Sequence, residues 1–218
     1  MTAHRQTVVF DLDGTLVHSA PDILAALEQA LHEAKIPFTR PLPESLIGPP
    51  VLGMIERLGA PRTAEQESAA VAAFRRIYDP SPMSRSRPYP GGERLLRELS
   101  AQGVRVHVAT NKPEKPTRVL LGRFFEGLVV DICCVDSLPG PRLTKEQMLQ
   151  ELTRRHGLDP ASAAIVGDAA SDIRAGQALG WQTIAVTWGY SARSELFDAG
   201  PSAIVDDIEA LSKMLLRH

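Results

Sequence analysis

The chain has 218 residues, of which 44% are hydrophobic, so it can bury one sizeable α/β core with at most a small insert. Its formal net charge of −2 gives no reason to expect nucleic acid or an anionic membrane surface as a partner. No apolar stretch is long enough to span a bilayer, and residues 1–6 lack the apolar core of a signal peptide. The adjacent Cys133 and Cys134 lie in an apolar run and are expected to be buried thiols in a reducing compartment. We therefore expect a soluble cytoplasmic protein that binds neither nucleic acid nor membrane.

The first predicted element is a strand over Val8–Phe10, which is followed at once by Asp11 and Asp13. A buried strand explains the apolar run, but ionised carboxylates are costly to bury unless they are paired or bound to a metal. Open α/β sheets bind ligands at the carboxyl ends of their strands, where these two acids fall. The stretch therefore predicts a site for Mg²⁺ and phosphate. An EF-hand loop does not fit, because its sixth position requires glycine and here holds Leu16.

Helical spacing of apolar residues dominates the segment that follows the first strand. The predicted helices cover residues 22–35, 44–47, 52–58 and 63–78. Ser19 or Asp22 is the expected cap of the first helix, and the sequence from Thr63 to Gln66 resembles a capping box that opens the last. Residues 79–90 are rich in proline, serine and arginine and are typical of a linker. The segment is therefore predicted to be an all-helical insert.

Strands alternate with single helices from residue 91 onward. The predicted helices cover residues 91–102, 115–125, 144–156 and 171–179, and the predicted strands cover residues 104–109, 129–135, 163–166 and 183–186. Strands that are separated by single helices imply a parallel, doubly wound sheet. The expected domain boundaries place the α/β core at residues 1–17 and 86–218, and the helical insert at residues 18–85.

Polar side chains that could perform chemistry follow several predicted strands or open the helix after one. This candidate site consists of Asp11, Asp13, Thr110, Asn111, Lys145, Asp168 and Asp172. The carboxyl ends of parallel strands meet at one edge of a sheet, so we expect these side chains to share one crevice. Oxygen ligands without histidine or cysteine favour Mg²⁺ over zinc, whereas Thr110, Asn111 and Lys145 are expected to contact phosphate. Lys112 or Lys115 could compete for the role of Lys145.

With phosphate held against Mg²⁺, one aspartate can attack phosphorus and the second can transfer the proton. The segments Asp11-Leu-Asp-Gly-Thr15, Thr110-Asn111, Lys145 and Gly167-Asp168 with Asp172 resemble, in this order, the haloacid dehalogenase-like superfamily of phosphotransferases. The resemblance implies a Rossmann-like core with Asp11 as nucleophile, Asp13 as acid–base and Lys145 as a catalytic lysine. It also implies a metal bound by the Asp11 carboxylate, the Asp13 backbone carbonyl and Asp168, with Asp172 behind these ligands.

The helical insert is similar to the mobile cap of the branch that includes phosphoglycolate phosphatase. His18 stands where that branch often has an acid, and Ala169 where a hydroxyl or arginine is common, so no particular substrate is assigned. We expect an Mg²⁺-dependent phosphomonoester hydrolase that acts on a small phosphorylated metabolite through an aspartyl phosphate, as a monomer or homodimer. The alternatives are a phosphomutase, a nucleotide or pyrophosphate phosphatase, and a non-catalytic binding protein.

The cap is expected to determine substrate specificity, because the core binds only the phosphoryl group. From His18 to Pro88, eight basic residues oppose eight acidic ones, so the cap is not basic overall. Its candidate substrate contacts are Arg57, Arg62, Arg75, Arg76, Arg85 and Arg87. The sequence does not distinguish among these arginines.

Overall fold

A six-stranded parallel sheet forms the centre of the computed structural model, which describes residues 7–216. The expectation about a signal peptide falls on residues 1–6, which lie outside the described part. The strands are β1 (Thr7–Phe10), β2 (Val17–His18), β3 (Arg87–Pro88), β4 (Arg105–Thr110), β5 (Asp131–Cys134), β6 (Ala163–Gly167), β7 (Gln182–Val186) and β8 (Ala203–Val205). The order in the sheet is β5-β4-β1-β6-β7-β8, and every neighbouring pair is parallel. The predicted α/β fold with a Rossmann-like, doubly wound parallel sheet is therefore confirmed.

Helices connect the strands at nearly all of the predicted places. They are α1 (Ala20–Glu33), α2 (Val51–Arg57), α3 (Ala64–Tyr78), α4 (Gly92–Ala101), α5 (Glu114–Phe124), α6 (Lys145–His156), α7 (Ala170–Ala178), α8 (Arg193–Asp198) and α9 (Ile208–Leu215), with 3-10 turns at Glu44–Leu46 and Pro160–Ser162. The predicted helix at residues 44–47 is thus only a 3-10 turn. The elements β2, β3, α8, β8 and α9 were not predicted, and β3 lies within the stretch predicted to be a linker; all five are short enough to give little periodic signal.

Strand β1 lies between β4 and β6 and is buried along its whole length. Phe10 stands opposite Val108 of β4 and Val166 of β6. The residues that follow these three strands therefore leave the sheet at the same edge. This register places Asp11 next to the segments that begin at Thr110 and Asp168.

The two faces of the sheet pack against different hydrophobic clusters. Val8 and Phe10 belong to the larger cluster, whereas Val9 points into the second one. The same division applies to β4, where Val106 and Val108 belong to the larger cluster and Ala109 belongs to the second. His107, on the other face, is fully buried, and burial together with the neighbouring His156 lowers the pKa of His107 to about 4. Both faces of this strand are therefore interior, as a doubly wound sheet requires.

The helical insert joins the sheet domain through an antiparallel ribbon. Val17 pairs with Pro88, and His18 pairs with Arg87, so the ribbon stands where the chain enters and leaves the insert. The larger hydrophobic cluster continues from the sheet into α1, α2 and α3. The division into a core at residues 1–17 and 86–218 and a cap at residues 18–85 stays a prediction.

The start of α1 differs from the expected capping. Ser19 occupies the cap position, but its side chain does not cap the helix. Instead, the Tyr190 hydroxyl accepts hydrogen bonds from the backbone N–H groups of Ser19 (2.8 Å) and Ala20 (3.0 Å). The Asp22 carboxylate accepts from the backbone of Ser86 at 2.6 Å. The prediction is therefore right about Ser19 as the cap residue, but neither side chain caps the helix, because the Ser19 hydroxyl donates to Asp13 and the Asp22 carboxylate accepts from Ser86.

Cys133 and Cys134 are buried and unbridged, as expected. Among residues 7–216, no helix combines the length and the apolar character that a membrane crossing needs.

Candidate active site

The loop after β1 folds back tightly and holds its two acids apart. The backbone carbonyl of Leu12 accepts hydrogen bonds from the N–H groups of Leu16 (3.0 Å) and Val17 (2.9 Å). Gly14 adopts a φ of +90°, and a Cβ at this position would overlap the Asp168 carboxylate. Glycine thus allows both the turn and the close approach of Asp168.

Asp11 forms a buried ion pair with Lys145. The ammonium nitrogen of Lys145 lies 2.6 Å from Asp11 Oδ1 and 2.9 Å from Asp172 Oδ1, and it donates to the carbonyl of Ala109 at 2.8 Å. Burial opposes the charge on Lys145, but the two carboxylates raise its pKa. Within the described residues, Asp11 Oδ2 makes no hydrogen bond. Asp11 is thus held in place through one oxygen, which leaves the other for chemistry.

Helix α6 delivers Lys145 at its first position. Its capping box has the Thr144 hydroxyl accepting from the Gln147 N–H at 3.3 Å, while the Gln147 side chain accepts from the Thr144 N–H at 2.8 Å. This local signal fixes where the helix begins. It therefore determines which residue of the segment enters the site.

Asp168 lies at the end of β6 and is held from two sides. Its Oδ1 accepts from the Thr15 hydroxyl at 3.1 Å, and its Oδ2 accepts from the Tyr190 N–H at 2.8 Å. A Cβ on Gly189 would overlap this carboxylate, as one on Gly14 would. Burial and the nearby Asp172 carboxylate raise the pKa of Asp168 to about 7.

Three buried carboxylates lie close enough together to hold a metal ion. Oxygen atoms of Asp11, Asp168 and Asp172 all lie within 4.8 Å of one another. Burial, followed by the charges of Asp172 and Asp168, raises the pKa of Asp11 even though Lys145 works against this. One lysine does not compensate three acids, so a divalent cation would relieve their repulsion. The all-oxygen donor set fits a hard cation of this kind.

Asp13 occupies a separate pocket with a lysine of its own. Both of its carboxylate oxygens accept from Lys112 Nζ at 2.9 Å, and Oδ1 also accepts from the Ser19 hydroxyl at 2.6 Å. Lys112 further donates to the Tyr78 hydroxyl of the insert at 2.6 Å. Lys112 therefore forms an ion pair with Asp13, whereas Lys145 forms one with Asp11.

Thr110 and Asn111 lie at the end of β4 beside this pair. The buried Thr110 hydroxyl accepts from the Lys112 N–H at 3.1 Å. The Asn111 side chain donates to the carbonyl of Gly48 at 2.8 Å, so it joins the core edge to the insert. Their proposed contacts with phosphate stay predictions.

All seven predicted site residues line one small cavity of about 20 Å³, together with Gly48, Ala169 and Ser171. The carboxylate cluster contains Asp172, which was expected behind the metal ligands, and it does not contain the Asp13 carboxylate. The assignment of Asp13 to the metal through its backbone carbonyl stays a prediction.

Sequence reasoning missed Thr15, Tyr78 and Tyr190 as parts of this site. Thr15 could have been found, because it belongs to the same motif as Asp11. The two tyrosines could not, since they reach the site only through tertiary packing.

Comparisons with known proteins agree with this geometry. Residues 8–186 match the sequence profile of the family described as haloacid dehalogenase-like hydrolase. A phosphoglycolate phosphatase of Rhodospirillum rubrum is 33% identical over 223 residues, which cover 96% of this chain and 90% of the relative. The tyrosine-protein kinase PtkA of Mycobacterium tuberculosis is 29% identical over 210 residues, which cover 96% of this chain and 71% of that protein.

The crystal structure of a predicted phosphatase from Clostridium acetobutylicum superposes with a TM-score of 0.88 at 27% identity, covering 98% of this chain and 99% of that one. These similarities confirm the prediction of a phosphatase enzyme of this superfamily. The chain belongs to the haloacid dehalogenase-like hydrolase family.

Proposed function

We propose that the protein is an Mg²⁺-dependent phosphomonoesterase that acts on a small phosphorylated metabolite through an aspartyl phosphate. The observation on which this proposal rests is the buried Asp11, which lines the site cavity with one oxygen bound to Lys145 and the other without a hydrogen bond within residues 7–216. The names of the phosphoglycolate phosphatase relatives support a small substrate. Cytoplasmic location and a monomeric or homodimeric state stay predictions.

In this proposal, Asp11 Oδ2 attacks phosphorus and Asp13 protonates the leaving oxygen. Asp13 then removes a proton from the water that hydrolyses the aspartyl phosphate. Lys112 contacts both carboxylate oxygens of Asp13 at 2.9 Å and so fixes the position of this proton-transferring group. Lys145, Thr110 and Asn111 supply donors to the phosphoryl oxygens.

Asp11, Asp168 and Asp172 would hold Mg²⁺, with the backbone carbonyl of Asp13 as the further ligand implied by the family resemblance. A bound Mg²⁺ supplies positive charge to the phosphoryl oxygens and lowers the repulsion between phosphate and carboxylates. Thr15 and the Tyr190 backbone orient Asp168 through their hydrogen bonds.

The test is phosphate release from a panel of phosphomonoesters by the wild-type protein and by Asp11→Asn. We expect Mg²⁺-dependent release that EDTA removes and added Mg²⁺ restores. We expect Asp11→Asn to abolish turnover and the hydroxylamine-labile phosphoenzyme, because the amide cannot attack phosphorus. Circular dichroism serves as the control for folding. Substantial phosphate release by a folded Asp11→Asn protein would refute the proposal.

The same panel distinguishes the alternatives. A phosphomutase would convert a hexose phosphate into an isomer without net phosphate release. A nucleotide or pyrophosphate phosphatase would prefer those substrates over small esters, and a binding protein would retain phosphate without hydrolysing any ester.

A further inference from the structure

A second cavity, of about 60 Å³, adjoins the cavity of the active site. It lies between the insert and the core, and it shares Asp13, Gly48 and Asn111 with the site cavity. A substrate whose phosphoryl group contacts Asp11 would therefore extend its leaving group past Asp13 into this second cavity. A water-sized group needs about 10–15 Å³, so the cavity holds only a few such groups. This size favours a leaving group of two or three carbons.

Most of the cavity wall is apolar, but two exposed arginines also line it, one from the insert and one from the core. Arg75 belongs to α3 of the insert, and Arg142 belongs to the loop between β5 and α6 of the core. Within residues 7–216, neither guanidinium makes an ion pair or a hydrogen bond. The cavity thus combines two unpaired cations with a small apolar chamber.

Arg75 differs in this respect from the other candidate arginines of the insert and its linker. The partners of those five are the Ser45 carbonyl for Arg57, Glu67 for Arg62, Glu33 for Arg76, Asp22 for Arg85, and the Ser84 and Ser86 carbonyls for Arg87. Arg75 alone among the six lines the cavity beside Asp13. The structure therefore distinguishes arginines that the sequence treated alike.

The two guanidinium groups lie near enough to repel each other. Burial and the charge of Arg75 lower the pKa of Arg142, although Asp136 and Asp79 work in the opposite direction. Among residues 7–216, the acids on the cavity wall are Asp79 and Asp13, and Asp13 is already paired with Lys112. An anion placed between the two arginines would relieve this repulsion, and guanidinium groups bind carboxylate and phosphate through paired hydrogen bonds.

We propose that Arg75 and Arg142 bind a second anionic group of the substrate, so that the preferred substrates are small phosphomonoesters with a carboxylate or a second phosphate. This inference rests on the proposed phosphatase function. Because one arginine comes from the insert and the other from the core, both can hold the anion only when the two parts are closed together as they are here.

The experiment compares three phosphate esters that share a two-carbon leaving group and differ in its terminal group: phosphoglycolate, 2-hydroxyethyl phosphate and 1,2-ethanediol bisphosphate. We expect wild-type kcat/KM to favour at least one anionic ester over 2-hydroxyethyl phosphate by about tenfold or more. Arg75→Gln and Arg142→Gln should each reduce that preference about tenfold, mainly through KM. For each anionic ester, the measured quantity is its kcat/KM relative to that of 2-hydroxyethyl phosphate. If the variants reduce this ratio more for phosphoglycolate, the second group is a carboxylate; if they reduce it more for the bisphosphate, it is a phosphate.

Arg76→Gln is the matched control, because it removes the neighbouring charge on α3 from a residue that pairs with Glu33 and does not line the cavity. It should leave the preference unchanged. Equal hydrolysis of the three esters by wild-type protein would overturn the inference. An unchanged preference in both arginine variants would do so as well, and would indicate that these arginines interact only with acids such as Asp79.

The inference and the proposed function can fail separately. If no ester is hydrolysed, the phosphatase proposal fails, and calorimetric titration of Asp11→Asn with phosphoglycolate, 1,2-ethanediol bisphosphate and 2-hydroxyethyl phosphate still tests the arginines. Tighter binding of at least one of them than of 2-hydroxyethyl phosphate, lost on adding Arg75→Gln, supports the anion site. Equal binding of all three refutes it.

Discussion

Two aspartates separated by one residue face different lysines in this site. Asp11 contacts Lys145, and Asp13 contacts Lys112, with both lysines buried. Each ion pair stabilises a carboxylate that would otherwise be costly to bury, and each fixes the orientation of one acid. The pairs therefore give chemically identical side chains different surroundings, as separate roles in attack and proton transfer require.

The position of the Asp168 carboxylate can be tested by adding a single carbon atom at a neighbouring glycine. A Cβ at Gly189 would overlap the Asp168 carboxylate. Gly189→Ala should therefore displace this ligand and weaken the apparent affinity for Mg²⁺ by about tenfold or more. The measurement is the Mg²⁺ dependence of phosphate release.

The control for this substitution is Gly122→Ala in α5, where a Cβ would meet no atom within 4 Å. This variant should keep the Mg²⁺ dependence of the wild type. An unchanged Mg²⁺ affinity in Gly189→Ala would show that Asp168 is not a ligand or that the site adapts without cost.

Two helices of this protein begin with the same capping box but present different residues. In α3, Thr63 accepts from the Gln66 N–H at 3.3 Å, as Thr144 does from Gln147 in α6. The first residue of α6 is the buried Lys145, whereas the exposed Ala64 opens α3. Of these two helices, only α6 therefore places its first residue in contact with Asp11.

Substitution of the two capping threonines separates stability from function. Thr144→Ala and Thr63→Ala should each lower the free energy of unfolding by about 1 kcal/mol, because each removes one cap hydrogen bond. Only Thr144→Ala should also lower kcat, by about fivefold or more, since Lys145 is displaced from Asp11. Denaturant unfolding and steady-state kinetics provide the two measurements, and equal loss of kcat in both variants would contradict the interpretation.

Across the whole molecule, the site concentrates negative charge at one edge of the sheet. Four aspartates face two lysines, which leaves two negative charges uncompensated when all six groups are ionised. The folded-state pKa of Asp168, about 7, lies above its ordinary value of 3.8. In the metal-free protein, the folded state therefore binds a proton that the unfolded state has already lost.

The sign of the resulting pH dependence follows from this pKa. Without metal, the contribution of Asp168 to stability is present below about pH 4 and is lost as the pH rises through about 7. Asp168→Asn should remove this decline, so the metal-free variant should be more stable than wild type at pH 8. Thermal unfolding between pH 4 and pH 8 in EDTA measures the effect.

With saturating Mg²⁺ at pH 8, the wild type should be more stable than Asp168→Asn, which is the reverse of the order without metal. At a concentration one hundred times its Kd, the ion adds about 2.7 kcal/mol to the stability of the wild type, and it should add far less to Asp168→Asn. The same Mg²⁺ stabilisation in both proteins would contradict the assignment of Asp168.

The sequence by itself determined the class of fold and most of the groups in the site. Apolar runs and their spacing are local signals, so they predicted most of the strands and helices, including the helix at residues 144–156 that carries Lys145. Parallel connectivity then placed the polar residues at one edge, because it brings the carboxyl ends of strands together.

Only the tertiary structure decided how these groups pair with one another. The sequence could not show that Lys112 contacts Asp13 rather than Asp11, that Tyr190 supports the start of α1, or that Arg75 remains unpaired beside Arg142. These relationships join residues that are distant along the chain, and no local periodicity encodes them. They depend on the packing of the insert against the core, which sets the distances between charges.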